Sequence, residues 1–266
     1  MKKLTPKQIQ HNWELLIGSI RDNITGDRKD KVLTMYEYFK ERMILAPASG
    51  RDYYHNAYPG GYVEHVLHIM KFAKQVAELW KKGGANINFT DEELIFSAMH
   101  HDFGKVGDIN HDYYIPQDSE WHRNNRGEIY KHNPELQYMS VHDRALWLLQ
   151  HFDIKVTDKE YIGIKLTDGL YDDSNKSYYM SYNPDWSLRS NLPYILHQAD
   201  MMASKIEYDF WKYGEPETAA DAFLEGGKEA PKKKVSTEIL KDKRLSENMK
   251  QFKELFGDTM GDKTNG

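Results

Sequence analysis

The sequence predicts an all-α fold, a helical bundle with two long loops that leave room for a short hairpin, followed by a C-terminal extension. Two observations carry that reading. Apolar residues recur at helical spacing in one segment after another, and Thr-x-x-Glu capping boxes stand directly before two of those segments.

The first 50 residues contain Lys7 to Ile20 and Lys31 to Leu45, where Val32, Met35, Tyr36, Phe39 and Met43 fall on one helical face. Residues 1–50 are therefore expected to be N-terminal helices packing on the core. The main domain is expected over residues 51–215. It begins with a stripe of Val63, Val66, Leu67, Met70, Ala73, Val76, Ala77 and Trp80, ended by Gly83-Gly84. Thr90-Asp91-Glu92-Glu93 then caps a helix from Asp91 to His101. Val141, Ala145, Leu148, Leu149 and Phe152 mark another, which carries His142. Thr157-Asp158-Lys159-Glu160 caps a helix running toward Asp168, with Tyr161, Ile164 and Asp168 expected on one face. Leu192-Pro193 opens the last, whose stripe runs Ile195, Leu196, Ala199, Met202, Ala203, Ile206 and Phe210. His197, Asp200 and Ser204 share the adjoining face.

The loops at about 106–134 and 169–191 are long enough to be binding loops or lids. Residues 216–266 read as a linker, with Pro231-Lys232-Lys233-Lys234, and a tail in which Ser246 to Phe256 is a short amphipathic helix.

The chain is 266 residues long with a net charge of -5, so its overall field does not attract a polyanion, and any nucleic-acid contact must be local. It has no cysteine, which excludes disulfides, thiolate nucleophiles and zinc-thiolate sites. Met1-Lys2-Lys3-Leu4-Thr5-Pro6 is not followed by an apolar run, and no apolar stretch approaches ~18 residues; the expectation is a cytoplasmic protein without membrane contact. There is no Walker-type loop, no Gly-x-Gly-x-x-Gly after a strand and no Gly-x-Ser-x-Gly elbow, which argues against a nucleotide-driven motor, a dinucleotide oxidoreductase or a serine hydrolase.

Chemistry concentrates in Ala98-Met99-His100-His101-Asp102-Phe103-Gly104-Lys105. Two consecutive residues cannot face one way inside a regular helix, but at a helix end the backbone can turn so that imidazole and carboxylate converge on one ion. Gly104 permits that departure from the helix, and Lys105 stays close by as a phosphate contact.

This segment, with His65 in Gly60-Gly61-Tyr62-Val63-Glu64-His65 before it and Asp200 in His197-Gln198-Ala199-Asp200-Met201-Met202-Ala203 after it, resembles the HD-domain superfamily of metal-dependent phosphohydrolases over roughly residues 50 to 210. The resemblance implies an HD helical bundle in which His65, His101, Asp102 and Asp200 hold a divalent cation: Mn, Fe, Co, Ni, Mg or Zn. Two imidazoles with two carboxylates make a mixed nitrogen-oxygen site that suits Mn, Fe, Ni, Co or Zn better than calcium. Such a cation acidifies a bound water and polarises a phosphoryl oxygen. The expected substrate is a phosphate ester of a nucleotide or nucleic-acid derivative, either a small molecule or a short nucleic acid.

In HD enzymes with two metals, further histidines lie between the His-Asp pair and the last Asp. Here His142 stands at the first such place, but Thr167-Asp168-Gly169 occupies the second. Asp168 can ligate a second ion, act as a general base, or cap the helix end and leave one ion. The expected catalytic residues are Asp102, Lys105 and Asp168. Substrate contacts are expected from Lys105, His55, Arg126 and Lys131, with Arg123 as a further cation and Trp121, Tyr113, Tyr114 and Tyr130 as surfaces on which a base can stack. His100 is expected to point into the packing, and His68 to be a supporting group or plain surface. An exoribonuclease acting 3′-5′, a cyclic-nucleotide phosphodiesterase and a non-catalytic metal-binding regulatory module are the rival readings.

Overall fold

Threonine caps and glycine breaks divide the chain into the helices that the apolar periodicity anticipates. The computed structural model describes residues 4–214, so the expected helix at 246–256 and the lysine-rich linker lie outside the described residues. The described residues fall in one compact unit.

Helix α1 (Pro6–Asn23) starts at a capping box in which Thr5 accepts from the Gln8 amide and Gln8 reaches back to the Thr5 N–H. Helix α2 (Gly26–Met43) buries the five apolar residues noted above. Helix α3 (Gly61–Lys82) begins after Gly60, whose φ of 84° an L side chain rarely adopts. Thr90 and Glu93 cap α4 (Asp91–His100) reciprocally, with Glu93 Oε2 2.8 Å from the Thr90 amide. The remaining long elements are α6 (Val141–His151), α7 (Asp158–Lys165) and α9 (Leu192–Tyr213). Shorter helices α5 (Glu120–Arg126) and α8 (Lys176–Tyr179) sit in the two long loops.

The first loop also holds the hairpin: β1 (Tyr114–Pro116) pairs antiparallel with β2 (Tyr130–His132), with Tyr114 opposite His132 and Ile115 opposite Lys131. The second loop contains short 3-10 turns and α8 rather than strands. No helix among the described residues is long and apolar enough to cross a membrane.

Helix α3 packs lengthwise on α9 and against α4, while α1 covers α3 and α7 bridges α4 and α9. Helix α4 is buried from Glu93 to His100, as expected of a helix surrounded on all sides. Its N-terminus is tied to that of α7: Thr157 donates to Glu93 Oε1 at 3.0 Å, and Arg28 of α2 bonds both Glu92 (2.5 Å) and the fully buried Glu160 (2.9 Å). The two capping boxes thus meet in one charged knot that fixes α2, α4 and α7 together. At the other end of α4, His100 lies among Tyr36, Phe96 and Phe103 and donates from Nδ1 to the Phe96 carbonyl at 2.7 Å.

Two local expectations need correction. Helix α7 stops at Lys165, so Asp168 lies in the turn beyond it, and Tyr161 faces solvent while Ile164 is buried. The stripe there is narrower than the spacing suggested because one side of α7 is open. Gly104 is required for a different reason from the one inferred: its Cβ would collide with the Val141 carbonyl oxygen, where the 3-10 turn Phe103–Val106 presses on the start of α6. Close approach, rather than an unusual backbone angle, excludes a side chain.

Two predictions follow from this packing. Gly104→Ala should force α6 away from the turn and destabilise the protein by about 1–3 kcal/mol, as overpacking does, measurable by urea denaturation. His100 is held neutral to about pH 3 by burial, aided by Arg28 and His101 and opposed by its bond to Phe96. Its folded pKa lies below the unfolded value of 6.5, so the unfolded chain takes up the proton first. Stability should therefore fall as the pH drops below 6.5, by up to about 1.4 kcal/mol per pH unit from this group. His100→Phe should flatten that slope; an unchanged slope would show that His100 is not its source.

Candidate metal centre

Each of the three motif segments delivers its side chains from a different element of the buried trio α3, α4 and α9. His65 lies on the second turn of α3 and is wholly buried. His101 follows the last residue of α4 with helical angles, and the chain then turns at Asp102 (φ -107°, ψ 11°) into the 3-10 segment. The helix end therefore lets adjacent residues face one point. Asp200 comes from the middle of α9.

Their atoms converge. His65 Nε2 is 3.5 Å from Asp200 Oδ1 and 3.8 Å from Asp102 Oδ2, and His101 Nε2 is 3.4 Å from the same Asp102 oxygen. Ligand atoms of His65, His101 and Asp200 all lie within 4.8 Å of one another, as do those of His55, His65 and Asp102. The tautomer of His101 is set by its backbone. Its Nδ1 is 2.7 Å from the Ala98 carbonyl, which can only accept, so the proton sits on Nδ1 and the Nε2 lone pair faces the cluster. The Nε2 atoms of His55, His65, His101 and His142 are all buried without a hydrogen-bond partner. Orphaned buried nitrogens beside carboxylates fit a divalent cation, since a buried polar atom without a partner is costly.

The electrostatics agree with a cation site. Burial alone would push His65 down, but the Glu207 and Asp200 carboxylates overcome it and hold the imidazole up to about 10, so a proton supplies the positive charge that the site calls for. Burial raises Asp102, yet Lys105, His101 and His65 hold it well below the usual carboxylate range; Lys105 Nζ is 2.6 Å from its Oδ2. Asp200 is likewise lowered, against burial, by the nearby imidazoles of His65 and His101. Burial and Asp102 act oppositely on Lys105, and the ion pair wins, so the ammonium stays charged inside the protein.

His142, buried on the first turn of α6, points Nε2 toward Asp168 Oδ1 at 3.8 Å. Asp168 is placed by its neighbours. His197 of α9 bonds the Thr167 carbonyl at 2.8 Å, and Gly169 has a φ of 56° with the His197 ring standing where a Cβ would go. The Asp168 carboxyl is raised by burial and by the Asp102 and Asp200 carboxylates, although His142 pulls it down. His55 stacks on His65 with ring centroids 4.5 Å apart, and burial drives its pKa down to about 3.

The expected substrate contacts separate into two groups. Lys105 and His55 lie within the cluster. Tyr113, Tyr114 and His132 of the hairpin stand close enough to Lys105 to feel its charge. Lys131 is not with them: strand alternation puts it on the opposite face of the ribbon from Tyr114 and His132, where it pairs with Asp118 at 2.8 Å. Arg126 pairs with Glu128 and stacks over exposed Trp121, and Arg123 bonds the Gln117 carbonyl. These cations make their ion pairs and hydrogen bonds within their own loop.

Sequence reasoning missed Glu207, a 2% exposed carboxylate 2.9 Å from His65 Nδ1. A signal was present: Ala199, Ala203 and Glu207 follow one another at four-residue spacing, so a glutamate lands in the buried stripe of α9.

Asp102→Ala should abolish tight uptake of Mn or Zn by removing the oxygen that His65, His101 and Lys105 share. Elemental analysis after dialysis would check it, and full retention of metal would refute the site. No family model, no curated protein and no solved structure matches the chain.

Proposed function

We propose that the chain is a metal-dependent phosphohydrolase of HD-domain type, acting on a phosphate ester of a nucleotide or nucleic-acid derivative. The observation that carries this reading is the convergence of His65, His101, Asp102 and Asp200, three separated segments, on one buried point with unpartnered Nε2 atoms.

His65, His101, Asp102 and Asp200 would hold the ion. When bound, the ion supplies an acidified water as nucleophile and electrostatic stabilisation of the phosphoryl oxygens. The chain's own residues supply the rest. Lys105, kept protonated by Asp102, places a positive charge beside the centre that orients a phosphate oxygen. Asp168, half-exposed and with a raised pKa, exchanges a proton at its carboxyl oxygen with water or leaving group. His142 and Asp168 together also form the pair that would take a second ion. The Tyr113, Tyr114 and His132 rings beside Lys105 support a nucleotide, because a base can stack there while its phosphate meets the lysine.

The protein loaded with Mn, Co, Ni or Zn should hydrolyse p-nitrophenyl phosphate or its bis ester, and a chelator should remove the activity. A panel of mononucleotides, cyclic nucleotides and a short oligonucleotide separates nucleotidase from phosphodiesterase and exoribonuclease. Stoichiometric metal without turnover of any of these substrates would instead identify a binding module. His142→Ala should lower the bound metal by one equivalent if two ions are held.

A further inference from the structure

We infer that Glu207 is a positioning residue of the metal centre, holding His65 in the tautomer that aims Nε2 at the ion, with His68 as its second anchor. The inference rests on the reading that the four donors hold a divalent cation.

Glu207 lies two turns after Asp200 on α9, so one helix brings both a donor and the carboxylate behind another donor. On the facing helix α3, His65 and His68 are three residues apart and share a side. Glu207 Oε2 is 2.9 Å from His65 Nδ1, and Glu207 Oε1 is 2.6 Å from His68 Nδ1. An ionised carboxylate only accepts, so both Nδ1 atoms carry protons. For His65 this leaves Nε2 as the nitrogen available to a cation, and Nε2 is the atom that is buried, unpartnered and near Asp200 and Asp102.

His101 performs the same alignment with a neutral carbonyl, that of Ala98. A full carboxylate does more, because it increases the basicity of the imidazole it orients and strengthens its bond to a metal. Placing a charge at 2% exposure is costly unless it is met on all sides. An ordinary structural pair would use a lysine or arginine; here both partners are histidines, and one of them points into the donor cluster.

The test compares wild type with Glu207→Gln, which preserves size and can still accept from one Nδ1 and donate to the other. Binding of Co is measured by competition with a chromophoric chelator, alongside the visible absorption of the bound Co and the far-UV dichroism of both proteins. The variant should keep its fold, bind Co about 10- to 100-fold more weakly and show an altered Co spectrum. Affinity within about twofold of wild type, with an unchanged spectrum, would overturn the role of Glu207, since the metal reading predicts tight binding by the other donors regardless. Failure of wild type to bind any divalent ion overturns the metal reading itself. Should the variant not fold, nitrogen-15 spectra of the histidine rings in zinc-loaded wild type decide the matter. A His65 ring protonated at Nδ1 and bound through Nε2 supports the inference, and zinc on Nδ1 refutes it.

Discussion

Two buried carboxylates, Asp102 and Glu207, and the partly buried Asp200 lie around a single imidazole, and their compensation is the main electrostatic constraint in the middle of the protein. Carboxylates removed from water cost several kcal/mol each unless positive charge and hydrogen bonds surround them, on the order of the net stability of a whole domain. Lys105 meets Asp102, protonated His65 lies between Asp200 and Glu207, and His68 takes the last oxygen. His65 and His68 sit on α3 and Lys105 on the 3-10 turn after α4, so the compensation depends on how these elements pack together.

What sets those positions is ordinary packing plus one charged knot. Away from the charged cluster, the faces that α3, α4 and α9 turn to one another are mainly apolar, and the ends of α4 are pinned separately. At its N-terminus, Arg28 joins the capping boxes of α4 and α7. At its C-terminus, His100 is locked among aromatic rings, which leaves the next residue, His101, to turn toward the cluster. Neighbouring histidines thus have opposite roles because the helix end falls between them. The tight contact of Gly104 with α6 then carries His142 to the rim of the same cluster.

The region around this rim is asymmetric. The hairpin turns Tyr114 and His132 toward Lys105 and leaves Lys131 on its outer face, so the wall facing the centre is aromatic and the cationic side chains lie outside it. Asp168, on the far side, is positioned by the contact of His197 with the Thr167–Gly169 turn rather than by its own helix. A carboxylate placed by a turn and half open to water suits proton exchange better than a group locked inside a helix.

The sequence by itself determined the helices and singled out four side chains that the fold brings together. Apolar period, threonine caps and glycine stops are local features, and α1, α2, α3, α4, α6, α7 and α9 all follow from them. His65, His101, Asp102 and Asp200 were legible because their order and helical settings are local patterns too. The tertiary structure alone decided which cations and carboxylates accompany them. Lys131 and Arg126 look like phosphate clamps in a loop until strand register and ion pairs turn them to Asp118 and Glu128. Spacing puts Glu207 in the buried stripe of α9, but its partners are decided only when α9 packs against α3 and brings it onto His65 and His68, 142 and 139 residues away in the chain. Pairings of that separation depend on how two helices are rotated against each other, and no local pattern encodes that rotation.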